Sequence, residues 1–216
     1  MDTAHTVNLA AHIGAGGIGI LIGIAILLRD KGTSLHRRLG RAFAVVTLLV
    51  SLTATIGLIA FRFMPLFAVL TLLTSYQLVS GWRAARLKDR GPQFIDALLT
   101  ALTSATTVLL LPTLFTASTH GNAQPMVVIS TLAALALILA YDTLRWLFPR
   151  RWFVRLWRFE HIYKLISSFG ALTSAFAGNV LIAGQPWSQI APSAISTALI
   201  IYFFVQNARA RPRPIQ

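Results

Sequence analysis

The sequence predicts an all-α fold, a polytopic bundle of about seven transmembrane helices with its N-terminus outside and its C-terminus in the cytoplasm. Three observations predict it. Of the 216 residues, 56% are hydrophobic and only 12% charged, too few charges for the solvated shell of a soluble domain this long. The charges cluster, leaving uncharged stretches of roughly 18 to 25 residues, long enough to cross a hydrocarbon core about 30 Å thick. The basic clusters also fall in every second loop. A bilayer-spanning backbone satisfies its own hydrogen bonds, so the spans are helices or a closed barrel. Barrel strands alternate in polarity over about ten residues, and these stretches are continuously apolar and longer.

The first span, about Val7 to Leu28, has Asp2 before it and Arg29, Lys31, Arg37, Arg38 and Arg41 after it. That order reverses a secretory signal peptide and predicts a retained anchor. The second span is about Gly40 to Phe61 and the third about Pro65 to Val79, joined by Arg62-Phe63-Met64. Arg83, Arg86, Lys88 and Arg90 mark the next loop, closed by Gly91-Pro92. The fourth span, about Phe94 to Thr116, contains Pro112 as a kink near its outer end. An uncharged loop, Ala117 to Gln124, leads to the fifth, about Pro125 to Leu147. A strongly basic segment follows, with Arg145, Arg150, Arg151, Arg155, Arg158 and Lys164. The sixth span is about His161 to Ile182 and the seventh about Ile190 to Val205, before Arg209, Arg211 and Arg213. All seven make one transmembrane domain, residues 1–216.

Lys and Arg concentrate on the cytoplasmic side of membrane proteins, which sets the orientation. Trp82, Trp146, Trp152 and Trp157 gather near that boundary and Trp187 near the other, where amphipathic rings are favoured. The net charge of +13 therefore reads as topology and as attraction to the anionic lipid headgroups of the cytoplasmic face, with no nucleic acid as partner. Trp146 to Phe159 interleaves rings with arginines, as an interfacial helix or a snorkelling loop does. With no cysteine, thiolate chemistry and disulfides are excluded. The absence of an Asn-X-Ser/Thr acceptor fits a bacterial inner membrane. No internal repeat supports an inverted-repeat transporter.

Polar residues are costly at depth, so they carry the functional signal. His12 lies five residues into the first span, about 8 Å below its outer end. It shares a face with Asn8 and Gly16, beside a stripe of small residues, Ala11, Ala15, Gly19 and Gly23. It suits a b-type haem ligand, a proton relay, or a hydrogen bond to a neighbouring helix. His36, Asp96, Asp142, Glu160 and His161 lie at similar depth near the cytoplasmic boundary on four helices. Converging, they suit metal binding or proton transfer between carboxylates. Read singly, Asp96 and Glu160 suit the positive end of a helix dipole, and Asp142 pairs with Arg145 three residues on. Gly170, Ser174 and Gly178 form a packing stripe, Asn179 beside it is placed to approach His12, and Ser75-Tyr76-Gln77 suits interhelical bonding or a cavity lining. No nucleophile elbow, zinc-protease helix or phosphate-cradling loop occurs.

His36-Arg37-X-X-Gly40 after a short basic loop, a histidine in the first span, the run from Tyr76 ending Ser80-Gly81-Trp82-Arg83, and the late His161 together resemble a family of predicted bacterial integral membrane proteins of unknown function. That resemblance implies a polytopic membrane location and no particular activity. In helix count and in histidines near both faces, the chain is also similar to di-haem membrane cytochromes b. This likeness implies His36 and His161 as an inner pair of haem ligands and His12 as an outer one. The histidines left to partner His12, His5 and His120, are peripheral. Three functions therefore stand as expectations: a haem-binding redox protein; a proton-coupled transporter or permease-like protein, against which the middle thirds of the spans offer no acid or base; and a membrane assembly subunit.

Overall fold

The computed structural model describes residues 3–119, 125–148 and 154–209, and among these the chain is helical throughout, with no strand. The helices are α1 (Thr3–Leu28), α2 (Ser34–Ile56), α3 (Pro65–Leu87), α4 (Phe94–Thr119), α5 (Pro125–Leu147), α6 (Leu156–Val180) and α7 (Trp187–Arg209). A π-helical turn, Gly57–Phe61, extends α2, and 3₁₀ turns follow α3 and α6 at Lys88–Arg90 and Ile182–Gly184. His120, Arg150, Arg151, Trp152, Arg211 and Arg213, and with them the middle of the expected interfacial segment, lie outside the described residues.

The fifth helix matches its predicted bounds, Pro125–Leu147, while the others differ from theirs at one end or both. The second begins at Ser34 rather than Gly40, the third continues from Val79 to Leu87, and the sixth starts at Leu156 rather than His161. Hydropathy falls at the first charged residue, but a helix continues wherever its backbone hydrogen bonds do. Thr33 caps α2 by accepting the His36 N–H at 3.1 Å. The His-Arg-X-X-Gly element is thus a capped first turn. In α4 the helix passes through Pro112, and the Thr116 hydroxyl bonds back to the Pro112 carbonyl at 2.9 Å.

Five helices, α1, α2, α4, α5 and α7, are long and apolar enough to cross a membrane, which makes this a multi-pass membrane protein. They also present large apolar side chains outward, such as Leu21, Val45, Leu109, Leu137 and Ile201. The remaining two, α3 and α6, are enclosed. No residue from Pro65 to Gly81 or from Leu156 to Ala175 is fully exposed. Their lower apolarity has one cause: Tyr76, Gln77, Ser80, Glu160, Lys164 and Ser168 are buried on these two helices. The bundle therefore inverts the soluble pattern around its central pair, polar inside and apolar outside.

Two apolar clusters flank that pair. Val69, Leu73, Leu114, Val128, Leu135 and Ile138 fill the space among α3, α4 and α5 towards the end opposite the arginine-rich loops. Ala15, Phe43, Val50, Leu78 and Leu172 join α1 and α2 to α3 and α6. Close approach of α3 to α6 requires Gly81, where an added Cβ would meet Lys164 Cβ at 2.7 Å and the Leu165 side chain. Ser168 reinforces the contact by donating to the Thr74 carbonyl at 3.1 Å. The Gly170, Ser174 and Gly178 stripe packs on α7, with Ser174 bonded to Ser193 at 2.9 Å.

Gly81→Ala is expected to destabilise the protein by about 1–3 kcal/mol, the usual cost of overpacking. Gly16→Ala, whose new methyl meets no atom within 4 Å, is expected to be neutral. Thermal unfolding of both variants in detergent checks this, and equal midpoints would mean α3 and α6 are not in close contact.

Candidate functional site

Asp96, Asp142 and Glu160 meet around one cavity of about 40 Å³ at the end of the bundle that carries the arginine-rich loops. Four helices position them. Asp142 stands in the last two turns of α5, and Lys164 in the third turn of α6 donates to both its oxygens, at 2.7 and 2.8 Å. Tyr76 of α3 donates to Asp142 Oδ2 at 2.5 Å, so this carboxylate takes three hydrogen bonds from two helices. Both members of the ion pair are buried, with Asp142 9% and Lys164 5% exposed.

One turn nearer the loops, Glu160 Oε1 accepts from Arg145 Nε and from the Tyr141 hydroxyl, each at 2.9 Å. Charge order is therefore reversed between α5 and α6, which these side chains bridge. Asp142 and Arg145 of α5 face Lys164 and Glu160 of α6. The third pair lies outermost and is half-buried: Arg83 grips Asp96 with Nε at 2.6 Å and Nη2 at 3.1 Å. The Asp96 hydrogen bond holds the Arg83 guanidinium above its ordinary pKa. Asp96 also accepts the Gln93 N–H at 2.7 Å, which closes the first turn of α4. Thr100 connects the layers, 2.9 Å from the Tyr76 hydroxyl and 2.9 Å from the Asp96 carbonyl. Three carboxylates and three cations thus form a group of zero net charge, two of its pairs buried and the outermost half-buried.

The ion pairs run between helices. The expected pairing of Asp142 along its own helix is superseded by Lys164, because an inward-facing carboxylate at this depth meets α6 before solvent. Lys164 is the residue of this site missed from sequence, where it counted among the basic loop residues. Its signal was present: it lies three residues inside the sixth predicted span, where a lysine is expensive.

The histidines lie apart from the cavity. His12 Nδ1 is 3.0 Å from Thr53 Oγ1 and 3.2 Å from the Val50 carbonyl, in the seam between α1 and α2. Asn8 supports the same seam by donating to the Thr53 carbonyl at 3.0 Å, and His5 stacks on Phe61 with ring centroids 4.7 Å apart. Asn179, expected to approach His12, donates its amide to the Ala175 carbonyl of its own helix at 2.7 Å. His161 donates from Nδ1 to the Gly81 carbonyl at 3.1 Å, which leaves Nε2 as the lone-pair nitrogen. His36 lies within electrostatic range of His161, and its Nδ1 is buried with no partner among the described residues. The structure thus gathers the three carboxylates in one place and the two inner histidines in another. Among the described residues, no three His, Asp or Glu side chains are grouped to hold a metal ion.

No protein-family model, curated protein or solved structure matches the chain. Its chemistry is therefore read from the site alone.

Removing one member of a buried ion pair leaves an uncompensated charge and costs about 3–5 kcal/mol, while replacing both by apolar residues is close to neutral. Lys164→Met is accordingly expected to lower stability by that amount, and Asp142→Leu combined with Lys164→Met to recover most of it. Unfolding midpoints in detergent read the cycle. A double variant no better than the single one would show that the two residues are not coupled.

Proposed function

We propose that the protein is a multi-pass protein of a bacterial inner membrane, with all seven helices spanning and the arginine-rich end in the cytoplasm, and that the Asp142–Lys164–Tyr76 network is the proton site of a proton-coupled carrier. The observation that carries this reading is a carboxylate–ammonium pair buried in an apolar bundle, beside a cavity at one end. Such pairs contribute little to stability, because desolvation offsets their attraction. An intramembrane acid facing the bundle interior is accordingly a functional site by default.

The chemistry follows from the hydrogen bonds. With Asp142 ionised, Lys164 and Tyr76 hold α5 against α6 and α3. A proton arriving on Asp142 removes the charge that Lys164 answers, and the ammonium is then free to move or to lose its own proton. Proton binding thereby changes what joins three helices, which is the coupling a carrier needs. Towards the opposite end the apolar cluster around Leu73, Leu114 and Leu135 closes the path. In an alternating-access cycle that cluster serves as the shut gate while the cytoplasmic side is in use.

Haem binding is a second reading, favoured by one observation. His161 is anchored through Nδ1 to a backbone carbonyl, the orientation that presents Nε2 to iron, and His36 is nearby. Here His36 and His161 would be the inner axial ligands and His12, anchored in the same manner, an outer one.

Proteoliposomes enclosing a pH-sensitive dye test the first reading. Among small organic cations, anions and zwitterions, at least one is expected to drive proton movement, reduced tenfold or more by Asp142→Asn. A panel that moves no protons, or moves them equally through Asp142→Asn, sinks the carrier. The absorption spectrum tests the second reading. A Soret band that sharpens on reduction and disappears in His161→Ala establishes haem, and a colourless folded protein removes it.

A further inference from the structure

The cavity beside Asp142 is roofed by the turn joining α3 to α4, through Lys88, Gly91 and Pro92. Its 40 Å³ exceeds the 10–15 Å³ that one water needs, so it has room for roughly three. Polar cavities of that size hold water, whereas apolar ones stay dry. One wall residue asks for it directly. Ser80, only 7% exposed and one turn along α3 from Tyr76, lines the cavity, and its Oγ has no hydrogen-bond partner among the described residues. A buried hydroxyl with no protein partner beside a polar cavity is a water-binding group.

The roof is short and bracketed by two unusual backbone positions. Lys88 lies at φ 54° and ψ −130°, a conformation lysine rarely adopts, and Gly91 lies at φ 76°. Between them runs the single 3₁₀ turn Lys88–Arg90. Across the bundle end, the turn is tied to the start of α6 by Asp89 Oδ1, which accepts the Arg155 N–H at 2.6 Å. That bond is exposed, and Arg155 itself holds a left-handed conformation at φ 67°. Beyond Gly91, the Gln93 N–H bonded to Asp96 at 2.7 Å fixes the start of the next helix.

We propose that this cavity is a hydrated chamber entered from the arginine-rich end, that Ser80 anchors its water, and that the turn Lys88–Arg90 is its lid, latched by Asp89 on Arg155. The chamber supplies the route by which protons and solvent reach Asp142, and in that purpose it rests on the proton-site reading. Its existence does not.

The chain contains no cysteine, so one introduced thiol reports without background. Ser80→Cys is reacted with a small charged methanethiosulfonate, alone and combined with Asp89→Ala. Leu73→Cys, in the apolar cluster beyond the cavity, is the control. Ser80→Cys is expected to label slowly and to label several-fold faster once Asp89 is removed, while Leu73→Cys stays unreactive. No labelling of Ser80→Cys in either background, or one rate in both, overturns the lid. Should Ser80→Cys fail to fold, Ala84→Cys on the same cavity wall gives the same comparison. Labelling in a protein that moves no protons would retire the carrier and keep the chamber. Proton movement with an unreactive thiol would do the reverse.

Discussion

Three ion pairs between helices, two of them buried, impose the order of this bundle. Charges cannot face lipid, so α3 and α6 lie where other helices cover them, and α4 and α5 turn Asp96, Asp142 and Arg145 inward. The apolar faces of the outer helices take the outside. The position of Lys164 illustrates the constraint. Its ammonium finds two carboxylate oxygens within 2.8 Å, and those oxygens belong to α5. Satisfying one lysine thus fixes the rotation of α6 about its axis and the depth of α5 beside it. Tyr76 and Thr100 extend the same requirement to α3 and α4.

Steric complementarity then sets distance. Gly81 brings α3 against Lys164 and Leu165, and the small residues of α6 bring α7 against its other side. In lipid there is little hydrophobic force between helices, so close van der Waals packing and interhelical hydrogen bonds must do what burial does in water. The α1–α2 seam uses the same means at the far end, with Asn8 and His12 bonded to Thr53 and Val50. Polar residues at both ends thus act as fasteners. Only at the arginine-rich end do those described here include charged pairs around a cavity.

Much of this was legible in the sequence. Uncharged length predicts seven helices, and Pro125–Leu147 is recovered to the residue, because a proline starts it and a basic, aromatic run ends it. Boundaries slip where a helix continues past its apolar stretch into charged residues, as α3 does past Val79. Asp96, Asp142 and Glu160 announce themselves as acids at the ends of spans, and Tyr76 as a polar group within one. Their partners do not. The position of Lys164 inside the sixth predicted span marks it as costly, but its partner lies 22 positions back and is brought near only by packing. The histidines mislead in the opposite sense: similar depth suggested convergence with the acids, but depth says nothing about which way around a helix a side chain points.

The reversed charge order on α5 and α6 bears on how the protein enters the bilayer in the first place. Asp142 and Arg145 are three residues apart on one helix, and Glu160 and Lys164 four apart on the next, so before the two meet each helix can neutralise itself within a turn. In the folded bundle the partners are instead Lys164 for Asp142 and Arg145 for Glu160, so spacing along each helix and order between them give the same four charges two neutral pairings.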